Sequence, residues 1–388
     1  GDNIRIDWGY FYLAADKKSH SASLGGSVQM RKEFVANGIV APNNEGDHMS
    51  LSAHIGKVGN KPKSDYIMLG YDDLYSIRYF DENRMAYWKH NGRVTMLDAL
   101  QKAAADYEAV AARCREFDAR MMADATKAGG KKYAELCALA YRQAIAAHKL
   151  ITDKEGNLVF LSKENFSNGS IGTVDVTYPS APLFLLYNPE LAKGLLNHIF
   201  YYSESGRWTK PFAAHDIGTY PIGCGQTYGG DMPVEECGNM LILTAAIAAR
   251  EGNAEYAKKH WETLSTWANY LLENGLDPEN QLCTDDFAGH LAHNCNLSLK
   301  AIMGLRGMAI IMKMLGKTKK AAYYFREAKK MAAVWKETAV NEDGTTRLAF
   351  DRPDSFSMKY NMVWDKIWNT RIFGQKFMDD EVKDNKRH

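Results

Sequence analysis

Over the first ninety residues apolar and polar side chains alternate in short pieces. Ile4 to Leu13, His48 to Val58 and Tyr66 to Tyr71 are β-prone. Gly25-Gly26, Pro42-Asn-Asn-Glu-Gly46 and Gly59-Asn-Lys-Pro62 cut them as turns. From Asn91-Gly92 onward the period becomes helical. Leu97, Leu100, Tyr107, Val110, Cys114, Phe117 and Met121 recur at helical spacings and predict one amphipathic helix that stops before Gly129-Gly130. A partner helix is expected from Tyr133 to His148. Thr152 to Thr177 shows no apolar period of its own and reads as a long ordered loop of the kind that carries function.

The second half repeats one theme of helix, glycine-marked stop, helix. Pro233 suits the first turn of a helix running to Arg250, because the N–H it lacks would be unpaired there anyway, and Gly252 supplies the stop. Tyr256, Trp261, Leu264, Trp267 and Leu271 share the next face, which closes at Gly275. Leu299, Ile302, Met308, Met312 and Leu315 lead to Gly316. Thr318 is placed to cap a last helix burying Ala321, Phe325, Ala328, Met331 and Trp335. Helical pairs joined alternately by short glycine turns and long acid-rich loops predict a mainly α protein, an (α/α)6-type toroid of six hairpins. The expected division is a β-rich segment over 1–90 and the helical hairpins over 91–388. An α-solenoid is disfavoured because no fixed period recurs.

Composition narrows the partners. Lys and Arg (48) nearly cancel Asp and Glu (47), so no field steers the chain toward nucleic acid. Apolar runs such as Met240 to Ala249 are too short and interrupted for membrane insertion. The six cysteines form no CxxC pair and read as buried free thiols, and no metal site is expected. No P-loop or dinucleotide fingerprint is present, so no cofactor is expected.

Candidate chemistry gathers in three loop clusters: Lys163, Glu164 and Asn165 with Asp175; His215 and Asp216 with Asp231, Glu235, Glu236 and Asn239; and Asp285 and Asp286 with His290, His293 and Asn294. Each lies just before or between helices, so in a toroid all three can converge on one mouth. Hydrolysis of a stable C–N or C–O bond uses one group to protonate the leaving atom and another to attack or to activate water. Neighbouring acids push their pKa values apart, which keeps one of them protonated. Neighbours on a helix point about 100° apart, so only one of Glu235 and Glu236 is expected to face the pocket. The rival role for that pair is favourable negative charge in the first turn of a helix. Asp285 and Asp286 have an N-cap or turn as their rival role. His215 divides evenly between substrate contact and a loop-bracing hydrogen bond, while His290 and His293 read as structural.

Several long motifs, in order, carry a resemblance. They are Phe160-Leu-Ser-Lys-Glu-Asn-Phe-Ser-Asn-Gly-Ser-Ile-Gly172 continuing to Pro179, His215-Asp-Ile-Gly-Thr-Tyr-Pro221, Asp231-Met-Pro-Val-Glu-Glu-Cys-Gly-Asn-Met240, Gly275 through Asp285-Asp286 to His290, and Lys359-Tyr-Asn-Met-Val-Trp-Asp365. In these the chain resembles the glutaminase A family of fungal and bacterial proteins. The resemblance implies a six-hairpin α/α domain after the remnant of a sandwich-like domain, a secreted or periplasmic setting, and amide hydrolysis of L-glutamine without a cofactor. Asp286, Asp285, Glu235 and Glu164 would then be the catalytic carboxylates. Lys163, Asn165, Asp175, His215, Asp216, Tyr220, Asp231, Glu236, Asn239 and Asn294 would shape the substrate pocket. The charged stretch after Phe373 is expected to leave the toroid incomplete, with a second copy of the chain as one way to cover the gap. The partner is a small-molecule amide or saccharide. Fold alone does not separate amide from glycoside chemistry, so a toroid-type glycoside hydrolase and a non-catalytic glycan- or peptide-binding scaffold stay open as alternatives.

Overall fold

Interruptions of the backbone pattern by glycine, proline and charged turns divide the chain into elements that cluster as two compact units. The structure, a computed structural model, describes residues 8–53, 55–164, 168–284 and 288–386. One unit holds the described residues up to Ser76 together with Met85–Ala138; the other holds Ile77–Arg84 and the chain from Leu139 onward.

The first unit is β-rich at its start. Strands β1 (Tyr10–Ala14), β2 (His20–Gly25), β3 (His48–Ala53) and β4 (Met68–Asp72) form two antiparallel pairs, β1 with β4 and β2 with β3. A helix not anticipated from sequence, α1 (Ser27–Asn37), lies between β2 and β3. Its apolar residues show almost no helical stripe and only Met30 is buried, so period counting had little to detect. Buried Lys89 is held by Asp72 at 2.7 Å. The helical segment α2 (Met96–Ala146) is broken by non-helical backbone at Gly130, φ 83°, which is the stop the glycine pair predicts.

In the second unit β5 (Ile77–Tyr79) and β6 (Glu82–Arg84) form a hairpin, followed by the hairpin β7 (His148–Thr152) and β8 (Leu158–Ser162). The expected loop from Thr152 to Thr177 is corrected here, because β8 occupies its middle. Asp153 makes the turn by accepting from the backbone N–H groups of Glu155 and Asn157. Residues 159–162 are all buried, so β8 lacks the alternation of a half-buried strand.

Helices α3 (Val174–Tyr187) and α4 (Pro189–Glu204) precede a short strand β9 (Ile222–Gly223) that adds to β5 in parallel. Then come α5 (Pro233–Glu251), α6 (Glu255–Lys259), α7 (Trp261–Asn274), α8 (Cys295–Met314), α9 (Thr318–Ala339), α10 (Val363–Ile367) and α11 (Gln375–Asp384). The protein is mainly α with small sheets, in the six-hairpin manner. Gly252 ends α5 in the left-handed conformation, φ 72°. The face expected from Tyr256 to Leu271 is split at His260 into α6 and α7. Thr318 is the first helical residue of α9 and Lys317 holds the cap position, with no side-chain cap.

The core centres on α5 and α8. Helix α8 is long and apolar enough to cross a membrane by length and composition, yet it is buried between α5 and α9. Helices α5 and α8 run in the same direction. Gly238 faces Lys300 and Gly304, and further along Leu241 and Ala245 face Gly307. This parallel contact brings the N-terminal turns of both helices to one end, and α3 joins them there through Asp175 in its own first turn.

Candidate active site

Four acids, a lysine and a histidine meet at that end. Glu235 and Glu236 stand in the first turn of α5, both fully buried. Their place invites the reading that they serve the helix terminus, but Gln281 does that work. Its Oε1 accepts from the N–H groups of Val234 (3.0 Å) and Glu235 (3.3 Å). Asn239, one turn on, donates Nδ2 to Glu235 Oε1 and Glu236 Oε2, at 3.0 Å each. The expectation that only one glutamate faces inward is therefore corrected. The start of α5 is buried all round, so both carboxylates point into the interior toward different partners.

Glu235 turns to α8. Its Oε1 accepts from Lys300 Nζ and from Thr284 Oγ1, and Lys300 Nζ also donates to Thr284 Oγ1 at 3.1 Å. Lys300 is fully buried, with its ammonium 4.1 Å from the centre of the Tyr178 ring. Tyr178 is held in turn by Asn361 and Trp364, both at 2.7 Å. A buried ion pair is tolerable only where its remaining valences are met, and hydrogen bonds with a cation–π contact meet most of them here.

Glu236 turns to His215 and Asp175, and one ligand-type atom from each of the three lies within 4.8 Å of the others. Buried Asp216 fixes the histidine. Its carboxylate is tied by the N–H groups of Gly218 (2.7 Å), Thr227 (3.0 Å) and Tyr228 (3.1 Å), and it engages His215 Nδ1 at 2.9 Å. Tyr228 stacks on the imidazole at 4.1 Å. With Nδ1 so engaged, Nε2 faces Asp175 Oδ1 at 3.6 Å. This trio could hold a divalent cation, since an imidazole oriented by an outer carboxylate beside two acids is a ligand arrangement. Residues so far apart in sequence give no spacing signal for it.

Burial pushes the Asp175 carboxyl up to about 6, with the charges of Glu235 and Glu164 adding and those of His215 and Lys300 opposing. Burial raises Glu236 well above the usual carboxylate range, helped by Asp175 and Glu235. For His215 burial works downward, but the Asp216 bond and the charges of Asp175, Asp216 and Glu164 outweigh it and raise the imidazole. The site thus sets two acids raised by burial beside one that is ion-paired with a lysine, the kind of contrast acid–base work uses. It also has more acceptors than donors. Among the described residues, Glu235 Oε2, Glu236 Oε1 and Asn239 Oδ1 are buried without a hydrogen-bond partner.

The remaining sequence-predicted residues divide. Glu164 accepts from Thr173 Oγ1 at 2.9 Å and acts electrostatically on Asp175 and His215, which places it at the edge of the cluster. Lys163 bonds the Glu164 carbonyl and lies 5.3 Å from the ring of buried Tyr220. Asp231 pairs with Lys210 and accepts from Gln226 at 3.1 Å. Asn294 is taken up in capping α8, where its Oδ1 accepts from the Leu297 N–H at 3.0 Å. Asp285, Asp286 and Asn165 lie outside the described residues. A cavity of about 840 Å³, lined by Glu190, Lys193, Glu204, Glu251, Tyr256 and His260, contains none of these residues.

Sequence reasoning missed Lys300, Thr284, Gln281 and Tyr178. One signal existed for the lysine: it is the only charged residue in the first two turns of the largely apolar α8, where an unpaired ammonium would be costly.

Comparison with known proteins agrees with this architecture. A family model described as the glutaminase A six helical-hairpin domain matches residues 130–383, and one described as a domain of unknown function (DUF5127) matches residues 1–124. Glutaminase A of Aspergillus oryzae is 33% identical over 394 residues, covering 97% of this chain and 57% of that protein. A probable glutaminase of Arthroderma benhamiae is 29% identical over 321 residues, covering 67% of this chain and 37% of that protein. The chain therefore spans little more than half the length of the first relative and less of the second.

Proposed function

The chain belongs to the glutaminase A six-hairpin family, and from that premise we propose that it is a glutaminase-like hydrolase that cleaves the side-chain amide of L-glutamine at the Glu235 cluster. The observation that carries this reading is the contrast within one buried site. A carboxylate paired with an ammonium, Glu235 with Lys300, stands beside two carboxyls, Asp175 and Glu236, whose burial favours their protonated forms. Amide cleavage needs such proton traffic: a group to take the proton of the attacking oxygen, and a proton for the departing nitrogen. The surplus of buried acceptors also suits a substrate bearing an ammonium group.

Glycoside hydrolysis is the second reading, because paired acids serve it too. One ligand atom of Asp175 and one of Glu236 lie within 4.8 Å of each other, near the roughly 5–5.5 Å carboxyl spacing of retaining glycosidases and short of that of inverting ones.

Ammonia release from L-glutamine, run beside a panel of aryl glycosides, separates the readings. Glutamine turnover is expected, with Glu235→Gln lowering kcat/KM by on the order of 10²-fold or more. Glycoside turnover without ammonia release would overturn the assignment. An extracytoplasmic setting belongs to the same proposal, and fractionation of the native host tests it.

A further inference from the structure

Thr284 is the most accessible member of a three-residue arrangement whose other two members are sealed. Glu235 and Lys300 are fully buried, whereas Thr284 is half-buried in the segment that leads from Gln281 toward α8. Its hydroxyl donates to Glu235 Oε1 and accepts from Lys300 Nζ at 3.1 Å. A hydroxyl so held has a route out for its proton and a positive charge against the oxygen that would be left, the two requirements for turning an alcohol into a nucleophile. A purely structural role has little to explain. The segment is already anchored by the Gln281 side chain on the start of α5, by the Leu291 N–H on the Gln281 carbonyl (3.2 Å), and by buried Cys283, whose Sγ accepts from Asn294 Nδ2 at 3.6 Å.

We propose that Thr284 is the catalytic nucleophile, with Glu235 as its proton acceptor and Lys300 as its electrostatic support, an assignment that rests on the amide-hydrolase reading above. In the first step Thr284 Oγ1 bonds to the amide carbon of the substrate and its proton passes to Glu235 Oε1. The C–N bond then breaks, the leaving NH₂ group takes that proton, and ammonia departs, leaving an ester between Thr284 and the glutamyl group. In the second step water adds to the ester carbon and gives a proton to Glu235. The C–Oγ bond breaks as that proton returns to Thr284 Oγ1, releasing glutamate. Lys300 stays protonated throughout and offsets the negative charge that passes between Oγ1 and the carboxylate.

The test uses the full chain with L-glutamine, alone and with hydroxylamine as competing acceptor. The wild type is expected to divert product from glutamate to γ-glutamyl hydroxamate, and acid-quenched enzyme should carry one glutamyl group, mapped to Thr284 by peptide mass spectrometry. Thr284→Ala should lower kcat on the order of 10³-fold or more and abolish the adduct. Thr284→Ser should retain the adduct, which a merely structural hydroxyl would not require. Should Thr284→Ala fail to fold, the wild-type adduct and the serine variant decide alone. Ammonia release by the wild type with no hydroxamate and no adduct, or with Thr284→Ala within threefold of it, overturns the nucleophile and leaves the amide-hydrolase reading standing. A wild type that releases no ammonia from glutamine overturns both.

Discussion

Asp175 carries the clearest pH signature in the protein. Its carboxyl is pushed by burial from 3.8 up to about 6, so the folded state holds the proton more tightly than the unfolded chain does. The stabilisation is complete below about 3.8 and is lost as pH rises through about 6. His215, also raised, adds a contribution present below 6.5 and lost as pH climbs through its folded value, so the two act in the same sense. Asp175→Asn removes the first of these. Thermal melts at pH 4.5 and 7.5 should show the asparagine variant gaining on the wild type as pH rises, by roughly 2 kcal/mol at one pKa unit per 1.36 kcal/mol. A constant difference between the two would disprove the assignment. His215, Asp216, Glu235, Glu236 and Asn239 were legible in the sequence because short acids and glycines concentrate between well-patterned helices, where bland solvation is a poor explanation. Lys300 and Thr284 were not, since Lys300 joins the site through the contact of α5 with α8 and Thr284 through a hydrogen bond from the segment before α8, and no spacing encodes either.

That contact depends on glycine. A Cβ at Gly238 would stand 2.5 Å from Lys300 Cγ, and one at Gly307 would stand 2.9 Å from Ala245 Cβ and 3.2 Å from the Leu241 carbonyl oxygen. The two substitutions should therefore part company. Gly307→Ala gains about 1 kcal/mol of helix propensity but forces two helices apart, at about 1–3 kcal/mol, so Tm should fall while kcat per folded molecule holds. Gly238→Ala meets Lys300 near the root of a buried, ion-paired side chain, so it should displace Lys300 from Glu235, lower kcat at least about tenfold and lower Tm by more than Gly307→Ala does. Paired melts and kinetics on the two variants read this directly. Helices such as α5 and α9 were legible because proline, glycine and a 3.6-residue period mark them. Strand β8 was not, because it is buried without alternation, and α1 was not, because it has no apolar stripe.

At the scale of the whole molecule, the helical unit is completed by a strand from far earlier in the chain. Strand β5 pairs with β9, the Phe80 N–H donates to the Gly223 carbonyl at 2.7 Å, and the Cys224 thiol reaches the Phe80 carbonyl across a separation of 144 residues. Buried Phe80 packs on Tyr201 and Tyr202, with ring centres 4.9 and 5.5 Å away. Phe80→Ala should accordingly destabilise the helical unit by about 3–5 kcal/mol, measured as the loss of helical ellipticity on heating. This interleaving was not legible, because a three-residue strand has too little pattern to name its partner. It also has a consequence for dividing the chain. Among the described residues the units alternate along the sequence as those up to Ser76, Ile77–Arg84, Met85–Ala138 and then the remainder, so no single breakpoint delivers either of them whole. Recombination at one site would leave the helical unit without β5 and β6, and in a nascent chain β5 can pair with β6 at once while its other edge waits until Gly223 has left the ribosome.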